Sequence, residues 1–97
     1  MTLEQACGQA IMRRREELGL SQMDVAVATG YSLRYVGDVE RGTKSATLRT
    51  MNDLATLLDI RLGSLLTEAE GALGGREKQG KAPSAGKGKT PNRRAGS

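Results

Sequence analysis

Between Leu33 and Arg41 the sequence reads LRYVGDVER. On a helix, Leu33, Arg34, Gly37, Asp38 and Arg41 fall on one half of the wheel, and Tyr35, Val36, Val39 and Glu40 on the other. The second half suits packing and the first suits contact. Arg34 carries the sharpest chemistry, because a guanidinium can donate two parallel bonds to guanine O6 and N7. Its plain alternative is a solvated arginine or a phosphate contact. Leu33 either meets a thymine methyl or is simply an exposed leucine. Asp38 either accepts from cytosine N4 or pairs with Arg34 one turn earlier. Pairing is favoured, since an unpaired carboxylate beside phosphates is costly. Gly37 costs ~1 kcal/mol against Ala inside a helix, which a close approach of backbone to DNA would explain, as would neutral drift.

Other chemistries are excluded or weak. The 97-residue chain has no His, Trp or Phe and one Cys. Imidazole acid/base catalysis and His metal sites are impossible within it. Cys7 can close no internal disulfide and builds no thiolate cluster, and it reads as a half-buried helix residue in a reducing compartment. The carboxylates are scattered, and no Ser or Cys has a His partner, so no enzyme, metal or cofactor is expected. No apolar run reaches the ~18 residues of a membrane span, and MTLEQACGQA lacks the pattern of a signal peptide. The expectation is a cytoplasmic protein without a membrane role.

Charge and composition divide the chain. Residues 1–70 carry a net charge of −2 and residues 71–97 a net of +6, which together give the formal +4. Both prolines and seven of the thirteen glycines lie in the second part. Leu73 and four alanines are its only apolar residues, so it cannot bury enough surface to offset the entropy of ordering. We therefore draw a domain over 1–68 and a disordered, basic Gly/Lys-rich tail over 69–97. The tail's Arg76, Lys78, Lys81, Lys87, Lys89, Arg93 and Arg94 suit an arm that follows phosphates, or else a solubilising segment.

The elements that must position Arg34 are all helical. Leu3, Ala6, Cys7, Ala10, Ile11 and Leu18 recur at helical spacing, with Thr2 and Gln5 as a capping box and Gly19 as the stop. Ser21 caps a helix over 22–29 that Gly30 ends. Ser32 caps another over 33–41 that Gly42 closes. After the loop GTKSAT, Thr47 caps a helix over 48–58 with Leu48, Met51, Leu54, Ala55 and Leu58 on one stripe. A short fifth helix is expected over 62–66. Two capped helices joined by Gly30-Tyr31-Ser32 describe a helix-turn-helix, whose second member can enter a major groove.

The string from Ile11 to Leu65 carries GLSQ at 19–22, Val25-Ala26, Gly30-Tyr31-Ser32 and VERG at 39–42. It then continues through Thr47, Leu48, Met51, Leu54, Ala55, Leu58, Ile60 and Leu62. It resembles the lambda-repressor-like, Xre-type helix-turn-helix family over about residues 8–66. The resemblance implies an all-α, five-helix bundle, double-stranded DNA as partner, a homodimer and transcriptional control. Residues 35–42 also resemble the restriction–modification controller proteins. Gln22 stands at the family's phosphate-clamp position, and its amide with the free N–H groups of the helix start suits a phosphate oxygen. Thr43, Lys44 and Ser45 follow the reading helix and should lie near the backbone, as should Arg41. Ser21 is first a cap. The hydroxyl of Tyr31 reaches a phosphate or else packs. The resemblance further implies an ion pair of Arg15 with Glu40. Arg14, Thr29 and Ala46 depart from the family pattern. Arg14 is expected to pack its stem and send its head to solvent or phosphate, and Thr29 to thin the core. For a homodimer, Arg61, Leu62, Leu65 and Leu66 are the expected interface. Two other functions compete: the antitoxin of a toxin–antitoxin pair, with a small protein partner, and a bridging module that binds no DNA.

Overall fold

The computed structural model describes residues 1–74, which form five helices: α1 (Leu3–Glu17), α2 (Gln22–Thr29), α3 (Leu33–Arg41), α4 (Leu48–Leu57) and α5 (Leu62–Gly74). The expected basic stretch 76–94 lies outside the described residues. Short-range chemistry sets the helix starts. Thr2 with Gln5, and Ser21 with Asp24, form reciprocal capping boxes. Ser32 accepts from the Tyr35 amide, and Thr47 from that of Thr50. Gly30 ends α2 at φ +82°, a left-handed conformation that costs a glycine little.

The core is one cluster drawn from every helix: Ala10 and Ile11 of α1, Val25 and Ala26 of α2, Val36 and Val39 of α3, Met51, Leu54 and Ala55 of α4 with the following Leu58, and Leu65 of α5. Leu3, Leu18 and Leu48 belong to the expected stripes yet stay exposed, Leu48 at 72%. They sit at or just past helix ends, where the facing helices no longer cover them.

Three sequence expectations are corrected here. α5 does not stop near Leu66 but runs through Gly74 along α1. Ala69 is buried and Leu73 half-buried, so they carry the Leu65 stripe onward, and Arg13 meets Glu68 at 3.9 Å. Arg14 does not leave its head free in solvent. Its Nε donates to Leu58 O at 2.8 Å and its Nη2 to Asp59 O at 3.1 Å, supplying partners to the carbonyls at the end of α4. Leu65 is fully buried in the core, so it is withdrawn from the expected dimer surface.

α1 and α3 cross at Gly8. A Cβ there would fall inside contact distance of the Val39 and Glu40 carbonyl oxygens and 2.7 Å from the Glu40 carbonyl carbon. The chain meets α1 again at Gly42, where φ is +74° and a Cβ would lie 2.6 Å from Gln5 Cα. The end of α3 is thus seated directly against the backbone of α1.

Candidate nucleic-acid interface

α2 and α3 form the helix-turn-helix, with Gly30-Tyr31-Ser32 between them. α3 buries Val36, Val39 and Glu40 and half-buries Tyr35, and it leaves Leu33, Arg34 and Arg41 exposed. Its inner face is keyed by charge. Arg15 Nε and Nη2 donate to Glu40 Oε2 and Oε1 at 2.7 and 3.1 Å, and Arg15 Nη1 donates to Leu20 O at 2.8 Å. The side chains are 11% and 2% exposed. The Glu40 hydrogen bonds push the Arg15 pKa above its ordinary value. Gln22 Nε2 donates to Glu40 Oε1 at 2.9 Å. One carboxylate thereby ties α1, the start of α2 and α3 together.

The same network changes the expected part of Gln22. Its amide is half-buried and has spent one N–H on Glu40, which leaves one for a phosphate. Tyr31 is further from its expectation. Its hydroxyl donates to Asp53 Oδ2 at 2.7 Å and lies 3.3 Å from Thr50 Oγ1, so it pins the turn to α4 instead of facing a phosphate. The Asp53 bond raises the Tyr31 pKa. The Tyr31 and Tyr35 rings pack at 5.4 Å between centroids.

On the outer face Arg34 is 91% exposed. Its Nε lies 4.0 Å from Asp38 Oδ2, a loose contact. Asp38 pairs tightly with Arg41 instead, accepting from Nη2 at 2.6 Å. Arg41 wins because helical side chains lean toward the N-terminus, so a base following the acid reaches it better than one preceding it. The Arg41 hydrogen bond holds the Asp38 carboxyl below the usual carboxylate range. Thr43 Oγ1 joins at 3.2 Å from Asp38 O and 3.3 Å from Oδ1, closing the end of α3. Lys44 is exposed, whereas Ser45 Oγ donates to Glu4 Oε2 at 3.3 Å, toward the start of α1. Ser21 accepts from the Asp24 amide at 2.9 Å as the cap of α2.

Gly37 does not open onto the contact face as expected. It is buried, and the Arg41 guanidinium lies over it, with Nη1 3.0 Å from where a Cβ would be. That neighbour is the far end of a side chain and can shift by the few tenths of an ångström a methyl needs while keeping its bond to Asp38. Gly37→Ala should therefore raise stability by about 0.5–1 kcal/mol through helix propensity, read from urea unfolding. A loss of stability would show that the guanidinium is fixed more rigidly than its exposure suggests.

Sequence reasoning missed four features: the α1–α3 crossing, the Tyr31–Asp53 bond, the Arg14 cap and the Arg41–Asp38 pair. Only the first left a trace, an unexplained glycine inside α1. Among the described residues, no group of His, Cys, Asp or Glu is arranged to hold a metal ion, and no helix is long and apolar enough to cross a membrane.

The fold, with its short turn and outward α3, defines a helix-turn-helix protein. A family described as Helix-turn-helix matches residues 11–65, so the chain belongs to the Xre, lambda-repressor-like helix-turn-helix family of transcriptional regulators. A relative from Sinorhizobium fredii, the uncharacterized HTH-type transcriptional regulator y4dJ, is 31% identical over 72% of this chain and 91% of its own length. Among solved structures, the clp gene regulator ClgR of Corynebacterium glutamicum superposes with a TM-score of 0.75 at 25% identity, covering 81% of this chain and 84% of ClgR. The restriction-modification controller protein C.AhdI of Aeromonas hydrophila gives a TM-score of 0.61 at 39% identity, covering 63% of this chain and 92% of its own.

Proposed function

We propose that this protein is a sequence-specific DNA-binding regulator, a dimeric repressor or autoregulator, that reads the major groove with α3. The observation that carries this reading is the two-sidedness of α3: its inner face is locked by Glu40 to Arg15 and Gln22, and its outer face presents Arg34 almost fully exposed. A reading element needs a rigid seat and a free donor. In this reading Leu33 and Arg34 contact base edges. The Gln22 amide, Lys44, the hydroxyls of Thr43 and Ser21 and the start of α2 face phosphates. One nine-residue helix reads too few bases for useful affinity, and a two-fold site supplies a second. Arg61, Leu62 and Leu66 offer the surface for that pairing.

Arg34→Ala is expected to weaken binding to the preferred site by ~1–3 kcal/mol and to relax one base position in each half-site. Gln22→Ala should lower specific and random DNA affinity more evenly. The check is a titration of both variants on the preferred site and on random duplex. An equal loss on both for Arg34→Ala would make Arg34 a phosphate contact.

The likeness to C.AhdI favours one narrower reading, a controller protein of a restriction–modification system. Restriction and methyltransferase genes beside its own, with its selected site in their promoter, would support it. A site elsewhere would reject it.

A further inference from the structure

We propose that Arg41, expected from the sequence to meet a phosphate, is a second base-reading arginine beside Arg34, positioned by Asp38. The proposal rests on α3 being the reading helix. Asp38 divides its oxygens between two arginines: Oδ1 accepts from Arg41 Nη2 at 2.6 Å, and Oδ2 faces Arg34 Nε at 4.0 Å. Thr43 Oγ1 lies 3.3 Å from the same Oδ1, so the carboxylate is fastened to the end of the helix. The Asp38 side chain is only 13% exposed, which removes it as a base reader in its own right and makes it a positioning residue.

Gly37 supplies the second half of the argument. The Arg41 guanidinium leans back along α3 and lies against residue 37, where a larger side chain would have to share its place. A helical side chain covers the turn N-terminal to its own Cα. Arg41 therefore delivers its charge about one turn nearer to Arg34 than its place in the sequence suggests. A phosphate contact needs a guanidinium that can swing out to the backbone. This one is held along the contact face, with one of its five N–H donors on Asp38 and four left to offer. One guanidinium held by the carboxylate and a free one a turn before it suit neighbouring guanines in a half-site, and the arrangement leaves a net positive charge facing the DNA.

The test uses the full chain and a pool of random duplex DNA. Wild type, Arg41→Lys and Asp38→Asn are each used to select sites. Each is then titrated on the wild-type site and on random duplex over a range of salt. Arg41→Lys keeps the charge and loses the planar fork. It should bind the wild-type site about ten-fold more weakly and lose preference at one base pair per half-site. Its affinity for random DNA and its salt slope should not change. Asp38→Asn should flatten the same base pair, which a merely structural role would not single out, and should bind random DNA more tightly because a negative charge is gone. An Arg41→Lys profile identical to wild type overturns the proposal and leaves the regulator reading intact. So does an Asp38→Asn variant that flattens a different base pair from Arg41→Lys. A wild-type protein that selects no sequence overturns both. Circular dichroism of the variants separates a lost fold from a lost contact, and Arg41→Ala serves as a second variant. An equal loss on specific and random DNA with a shallower salt slope would make Arg41 a phosphate contact and overturn the proposal.

Discussion

Gly8→Ala is expected to lower the unfolding free energy by about 3 kcal/mol, although alanine is the better helix former by ~1 kcal/mol. The added methyl would enter the space held by the Val39 and Glu40 carbonyls. Backbone cannot rotate away as a side chain does, so α3 must lift from α1 or α1 must bend. Either movement disturbs Val36, Val39 and Glu40 together. Urea unfolding followed by circular dichroism reads the loss, and DNA affinity should fall with it. Gly37→Ala is the same substitution inside a neighbouring helix and is expected to act in the opposite direction. A Gly8→Ala protein as stable as wild type would mean that α1 and α3 cross with room for a methyl between Gly8 and the Val39 and Glu40 carbonyls.

Glu40→Ala has an effect of comparable size. It leaves the Arg15 guanidinium, only 11% exposed, without its counter-charge, and it strips the Gln22 amide of its acceptor. Breaking one partner of such a buried pair costs about 3–5 kcal/mol. Removing both charges should cost much less. Arg15→Met combined with Glu40→Leu is therefore expected to recover most of the stability lost by Glu40→Ala. DNA binding should not recover in the double variant to the same degree, because the pair also sets the angle of α3 and the place of Gln22. A double-mutant cycle in urea, with DNA titration of each protein, measures both. Additive losses in the cycle would show that Arg15 and Glu40 are not coupled.

The fold was legible wherever its signals are short-range. Thr2, Ser21, Ser32 and Thr47 each place an oxygen within reach of an amide three residues on, so the starts of α1 to α4 could be read directly. Gly30 and Gly42 mark the ends of α2 and α3 for an equally local reason, since both take positive φ. The end of α5 has no such marker. Its length depends on Ala69 and Leu73 finding cover along α1, and composition alone assigned those residues to the tail.

The helices, their order, the two halves of α3 and the family were therefore set by the sequence itself, through capping, periodicity and the GLSQ and VERG strings. Only the tertiary structure decided which partner each long polar side chain takes. Arg14 could have met a phosphate but lies on the carbonyls of Leu58 and Asp59. Tyr31 turned to Asp53, and Gln22 to Glu40. Spacing along a chain fixes where a Cα sits on a helix. A side chain of three or more rotatable bonds, or a hydroxyl at the end of a ring, takes the partner that packing between helices brings within ~3 Å.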